Sequence, residues 1–270
     1  MAAVETQYVQ SQVGKIQLRR GGAGQPLVYL HSAMGEGDAL PMLDELAGIA
    51  EVIAPMFPGF GESEGIDQVD DMEDAVFHVL DLFDELGLAA PTVMGTSLGG
   101  WMALELATRY PERAGRLVLV NPVGLYLQGT PIRDIFGRTP AELADDMFAD
   151  DSHPMAQMMR AVGEFRSDPT MAGNLTFDMI RPMAQTMAAT AKLGWDPYLH
   201  NPKLPRRLHR VTAPTLIIRG RQDTLVPPEH ARHYAEHIRG ARLVEVDGAA
   251  HMMPLEKPEE IARLVGEFMS

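Results

Sequence analysis

A chain of 270 residues with 46% apolar side chains can bury a substantial core, in one large domain or two small ones. Its 37 acidic against 23 basic side chains give a formal net charge of −14, which opposes binding to nucleic acid or anionic membranes. The absence of cysteine excludes disulfides, thiolate metal sites, redox dithiols and a cysteine nucleophile.

The opening residues MAAVETQYVQ lack a basic stretch followed by an apolar core. No later apolar run approaches the roughly 18 residues that span a bilayer. A soluble, cytoplasmic protein is expected. Tyr8 to Arg20, with Gly14 inside it, reads as an antiparallel hairpin. Short apolar runs bounded by Gly and Pro come next, at Pro26 to Leu30, Glu51 to Ala54, Pro91 to Met94, Arg116 to Val120, Pro214 to Ile218 and Arg242 to Val246. Most have the character of strands buried on both faces. Between them, helical spacing runs over Asp38 to Ala47, Val69 to Leu86, Leu98 to Tyr110, Pro228 to Ile238 and Pro258 to Met269. This alternation predicts an α/β fold, a mostly parallel sheet flanked by helices.

The alternation breaks between Val123 and Pro205, where stretches such as Ala141 to Phe148 and Met179 to Leu193 fit helices. Eight of the 18 methionines fall here: Met147, Met155, Met158, Met159, Met171, Met179, Met183 and Met187. The expected organisation is a core of residues 1–122 and 206–270 with a helical cap, 123–205, inserted above the strand ends that carry chemistry. Thioether side chains suit an adaptable apolar pocket, and they equally suit packing of cap helices onto the core. Trp195 and Tyr198, at the end of the insertion, line an entrance or anchor the cap.

Gly95-Thr96-Ser97-Leu98-Gly99 joins a predicted strand to a predicted helix, the context in which a strained turn lifts a serine hydroxyl above a sheet. A helix N-terminus there also favours developing negative charge. Serine needs a base within hydrogen-bond reach and a carboxylate to fix that base's tautomer. Asp223 follows the strand ending at Ile218, and His251 follows the strand ending at Val246. Both loops would open on the same sheet edge as Ser97. Asp247 is a rival acid, but it sits close to His251 in the same loop. His230, His233 and His237 are spaced like one solvated side of a helix, and His78 reads as a helix residue.

With these residues the chain resembles the α/β-hydrolase superfamily over nearly its whole length. Leu30 to Gly35, Pro58 to Ser63 and Gly248 to Pro258 add to the likeness. The resemblance implies an α/β-hydrolase fold with a helical lid, in which Ser97 is nucleophile, His251 base and Asp223 its orienter. It also implies an oxyanion hole made by the N–H groups of Ala33 and Leu98, with His31 bracing the loop. No cofactor and no metal are implied. There are departures: Ser32 stands where glycine is usual, Met56 where aspartate is common, and Ala250 where glycine often precedes the base.

A serine at the elbow argues against the haloalkane dehalogenases and epoxide hydrolases of this superfamily, which use aspartate. Its hydrolases of carbon–carbon bonds in ring-fission products typically carry asparagine before the serine and tryptophan after the histidine, where this chain has Thr96 and Met252. The expected reaction is therefore hydrolysis of carboxylic esters of apolar small molecules through an acyl-enzyme. Lactone hydrolysis, as on acyl-homoserine lactones, carbon–carbon hydrolysis and cofactor-free perhydrolysis are the alternatives; a non-catalytic ligand-binding module is the reading from another class. The expected partner is a small-molecule ester or lactone, with no nucleic acid and no membrane, and the sequence permits a homodimer.

Overall fold

Side chains alternate across a strand, and in the central strands both sides are apolar, so each strand feeds two cores. Leu27 and Tyr29 belong to one buried cluster, and Val28 and Leu30 to the other. Likewise Leu117 and Leu119 face away from Val118 and Val120. The computed structural model describes residues 3–167 and 177–270, so Met171 lies outside the described residues.

The strands are β1 (Glu5–Ser11), β2 (Gly14–Gly21), β3 (Pro26–Leu30), β4 (Glu51–Pro55), β5 (Thr92–Thr96), β6 (Arg116–Val120), β7 (Thr215–Gly220) and β8 (Arg242–Val246). They form one sheet in the order β1-β2-β4-β3-β5-β6-β7-β8. β2 runs antiparallel to β1 and β4, as the expected hairpin requires, and every later neighbour is parallel. The loops after β3, β5, β6, β7 and β8 therefore leave one edge of the sheet.

The helices are α1 (Pro41–Ala47), α2 (Met72–Glu85), α3 (Leu98–Arg109), α4 (Pro140–Met147), α5 (Pro154–Ser167), α6 (Phe177–Gly194), α7 (Pro228–His237), α8 (Met253–Glu256) and α9 (Pro258–Met269). Apolar residues of α1 and α9 cover one face of the sheet, and those of α2, α3 and α7 the other. Helices α4, α5 and α6 lie between β6 and β7. Their described buried residues, Leu143, Ala144, Met147, Ala156, Ala189 and Leu193 among them, join the α2 and α3 cluster.

Two local features differ from expectation. The helix expected over Asp38 to Ala47 is broken: a tight turn at Glu36–Ala39 ends at Leu40, which is extended (φ −101°, ψ 104°), and α1 starts at Pro41. The proline ring disfavours helical geometry in the residue before it. His230 is buried, not solvated, and its Nε2 lies 2.8 Å from the Thr130 carbonyl. Burial lowers its pKa. It shares the core-facing side of α7 with Ala231 and Tyr234, while His233 is half-buried and stacks on the exposed His237 at 3.9 Å.

His78 lies on the buried face of α2, and neither ring nitrogen has a hydrogen-bond partner among the described residues. Burial pushes its pKa from 6.5 down to about 4. The unfolded chain thus takes up this proton as pH falls through 6.5, whereas the folded chain resists it to about 4. Stability is lost across that window, by about 3 kcal/mol. Urea unfolding of His78→Leu from pH 7 to pH 4 should show a loss smaller than the parent's by about this amount; parallel pH dependence would contradict the assignment.

Candidate active site

β5 ends at Thr96 and α3 begins at Leu98, so Ser97 turns the chain alone, with φ 52° and ψ −110°. A non-glycine residue holds such a conformation only where its surroundings over-determine it. Here the Ser97 N–H donates to the Val120 carbonyl (2.9 Å), while its own carbonyl accepts from Trp101 N (3.0 Å) and Val123 N (3.3 Å). The flanking glycines are sterically required. A Cβ at Gly95 would lie 2.2 Å from the Gly99 carbonyl oxygen, and one at Gly99 would lie 2.1 Å from that of Leu30. Leu98, at the first helical position, has an N–H with no acceptor inside the helix.

Asp223 and His251 meet at the same edge. Asp223 Oδ2 is 2.9 Å from His251 Nδ1, and both side chains are buried. The other carboxylate oxygen accepts from Leu225 N (2.9 Å) and Val226 N (3.0 Å), which fixes the carboxylate plane. Donation from Nδ1–H to Asp223 leaves the Nε2 lone pair of His251 free to take a proton. Asp247, the rival acid, is exposed and pairs with Arg221 at 3.1 Å.

Sequence reasoning passed over Asn121, which stitches the site together. It follows β6 in a left-handed conformation (φ 43°) and is buried. Its Nδ2 donates to the carbonyls of Ala250 and His251 (3.0 Å each), and its Oδ1 accepts from Gly220 N (2.9 Å). One side chain therefore joins the ends of β6, β7 and the loop of His251. Arg219, also buried, donates to the Asp223 carbonyl at 3.0 Å. The signal in the sequence was a polar residue ending the apolar run Arg116 to Val120, directly before Pro122.

The loop after β3 accounts for its backbone donors in turn. Ser32 N donates to Glu36 Oε1 (3.0 Å), Met34 N to Ser32 Oγ (3.1 Å) and Gly35 N to the Ser32 carbonyl (3.1 Å). Between residues 32 and 35, only the Ala33 N–H makes no hydrogen bond among the described residues. The Ala33 carbonyl accepts from Thr190 Oγ1 of α6 (3.0 Å). His31 spends both ring nitrogens on backbone, Nδ1 on the Ser32 carbonyl (2.7 Å) and Nε2 on Phe57 N (3.0 Å). Its geometry is that of a brace. Tyr198 anchors the inserted segment, donating to the Arg133 carbonyl (2.6 Å) and accepting from Ile135 N (2.8 Å). Trp195 is exposed and packs edge-on against Phe136.

Residues 25–258 match the family model described as alpha/beta hydrolase fold. The chain is 30% identical to the 2-hydroxymuconate semialdehyde hydrolase of Pseudomonas putida, with 95% of this chain and 91% of that one covered. It is 28% identical to the 2-hydroxy-6-oxo-6-phenylhexa-2,4-dienoate hydrolase of Comamonas testosteroni, covering 94% and 91%. Among solved structures, the 2-hydroxy-6-oxo-6-phenylhexa-2,4-dienoate hydrolase from Rhodococcus sp. strain RHA1 superposes with a TM-score of 0.77 at 24% identity, covering 100% of this chain and 99% of that one.

Asn121→Ala should leave two carbonyls and one N–H unpaired and lower the unfolding free energy by about 3 kcal/mol, at about 1 kcal/mol per buried group. Urea denaturation measures this directly; a loss under about 0.5 kcal/mol would show that the side chain does not hold these loops.

Proposed function

The chain belongs to the alpha/beta hydrolase fold family and is a hydrolase, and from that premise we propose that Ser97, His251 and Asp223 form its catalytic triad. The observation that carries this reading is the buried Asp223–His251 pair, at 2.9 Å, on the sheet edge where Ser97 turns into α3. Ser97 Oγ attacks a substrate carbonyl as His251 Nε2 takes its proton, and Asp223 stabilises the imidazolium that results. The Ala33 and Leu98 N–H groups receive the oxyanion, each contributing on the order of 3 kcal/mol to the barrier reduction. The bond from the carbonyl carbon to the departing group then breaks, and that group takes the proton from His251. Water deprotonated by His251 attacks the acyl-enzyme, the acid is released and Ser97 regains its proton.

The substrate class supported by the relatives is a ring-fission product; its 2-hydroxydiene first takes a proton at the carbon next to the 6-oxo group and loses its enol proton, so that this carbon departs as an enolate conjugated with the 2-oxo group. This reverses the order expected from the sequence, which put carboxylic esters first and carbon–carbon cleavage among the alternatives. Thr96 and Met252 favour the ester as a second reading, because they stand where carbon–carbon hydrolases of the resembled type carry asparagine and tryptophan. The triad serves both, with an alkoxide departing in the ester case. The described parts of the insertion, residues 123–167 and 177–205, act as a helical cap, to which buried methionines such as Met147 and Met159 contribute apolar surface.

A side-by-side assay decides between the two: 2-hydroxy-6-oxo-6-phenylhexa-2,4-dienoate, 2-hydroxymuconate semialdehyde, 4-nitrophenyl butyrate and an acyl-homoserine lactone. The expected result is a kcat/KM at least about 100-fold higher on a keto-dienoate than on the ester or lactone. The opposite preference would install the ester reading. Ser97→Ala should lower kcat by about 1,000-fold or more with its fold intact, and retained turnover would remove both readings.

A further inference from the structure

Ser32, which stands where the superfamily usually has glycine, and Thr96, which stands where its carbon–carbon hydrolases have asparagine, are the ends of one chain of hydrogen bonds. The Ser32 N–H donates to Glu36 Oε1 (3.0 Å) and the Ser32 hydroxyl to Glu36 Oε2 (2.6 Å). The Tyr29 hydroxyl donates to the same Oε1 (2.8 Å) and lies 3.1 Å from Thr96 Oγ1. Tyr29, Ser32 and Thr96 are each no more than 1% exposed. Burial first, and then the charge of Glu36, raise the pKa of Tyr29 well above 10, so its hydroxyl keeps the proton it donates.

Both ends of this chain of bonds adjoin groups that would meet the substrate. Thr96 immediately precedes Ser97, and Ser32 shares a peptide bond with the Ala33 N–H. The carbonyl of that same peptide is held by His31 Nδ1 (2.7 Å) and Gly35 N (3.1 Å). With glycine at position 32 neither hydroxyl bond could form, and the peptide would have more conformations open to it. We infer that Glu36 is a positioning residue, whose carboxylate fixes the Ser32–Ala33 peptide relative to Ser97 so that the oxyanion donor is set before substrate arrives. This rests on the proposed roles of Ser97 and Ala33. Preorganised donors stabilise transition-state charge without reorganising during the reaction, so a loosened peptide lowers kcat more than it changes substrate binding.

The test compares Glu36→Ala, Glu36→Gln and Ser32→Ala with the parent on the best substrate of the panel, alongside the Kd of an alkylboronic acid, which mimics the tetrahedral intermediate. Glu36→Ala should lower kcat by about 100-fold with KM within about threefold, and weaken boronic acid binding in parallel. Glu36→Gln keeps the Oε1 acceptor and the side-chain length, and should recover to within about fivefold of the parent. A purely structural contact predicts a lower thermal midpoint with kcat and boronic acid affinity unmoved in the folded fraction, and that result overturns the inference. Should Glu36→Ala fail to fold, Ser32→Ala carries the test through the lost acceptor of Met34 N: a kcat loss of about tenfold is expected, and an unchanged kcat overturns it. Failure of the underlying reading looks different, because Ser97→Ala would then retain turnover, whereas an inactive Ser97→Ala beside a fully active Glu36→Ala overturns the Glu36 role alone.

Discussion

Ser97 has to turn the chain from strand to helix in one residue, and much of the architecture around it answers that constraint. Its positive φ survives because the backbone on both sides is tied, to Val120 before α3 and through Trp101 and Val123 after it. The glycines at 95 and 99 are a consequence of the same turn, since α3 passes so close to β5 and to the end of β3 that no Cβ fits. The helix start leaves N–H groups without acceptors inside the helix, and in the proposed reaction the carbonyl oxygen gains charge beside them.

The acid and base loops are held from two sides. Beneath them, Asn121 and Arg219 grip the carbonyls of Ala250, His251 and Asp223. Above them lies the region of α4. Met252 N donates to the Met147 carbonyl (2.9 Å), and Thr224, next to Asp223, donates to buried Asp146 (3.0 Å), which also pairs with Arg133 and Arg138. Glu256 joins the two layers, accepting from Ala250 N (2.8 Å) with one oxygen and from Ala149 N (2.7 Å) with the other. The loops of Asp223 and His251 are thus held through their backbones by Asn121, Arg219, Glu256 and Met147, in addition to the bonds that the Asp223 carboxylate makes to Leu225 N and Val226 N.

The strand and helix order was legible because central strands bury both faces, so uninterrupted apolar runs mark them whatever else they touch. That Asp223 and His251 would meet was legible from their order and from loops that end parallel strands. Helical spacing told which of His230, His233 and His237 share a side but not that the first of them faces the core, since burial depends on the segment around Thr130 packing against it. Glu36 was illegible for a related reason. Its partners connect Tyr29 to Thr96, 67 positions apart, and only the pairing of β3 with β5 brings them together. The sequence left the departing group open because the proposed triad would serve oxygen and carbon alike, and the relatives, not the motif, reordered that reading.

Reaction of the intact protein with a fluorophosphonate, followed by peptide mass mapping, reads out nucleophilic activation of Ser97, because phosphonylation needs a serine activated by a base. Among the seven serines of the chain, an adduct is expected on Ser97 alone, forming at least about 1,000-fold more slowly in folded His251→Ala. An adduct on another serine, or an undiminished rate without His251, would contradict this expectation.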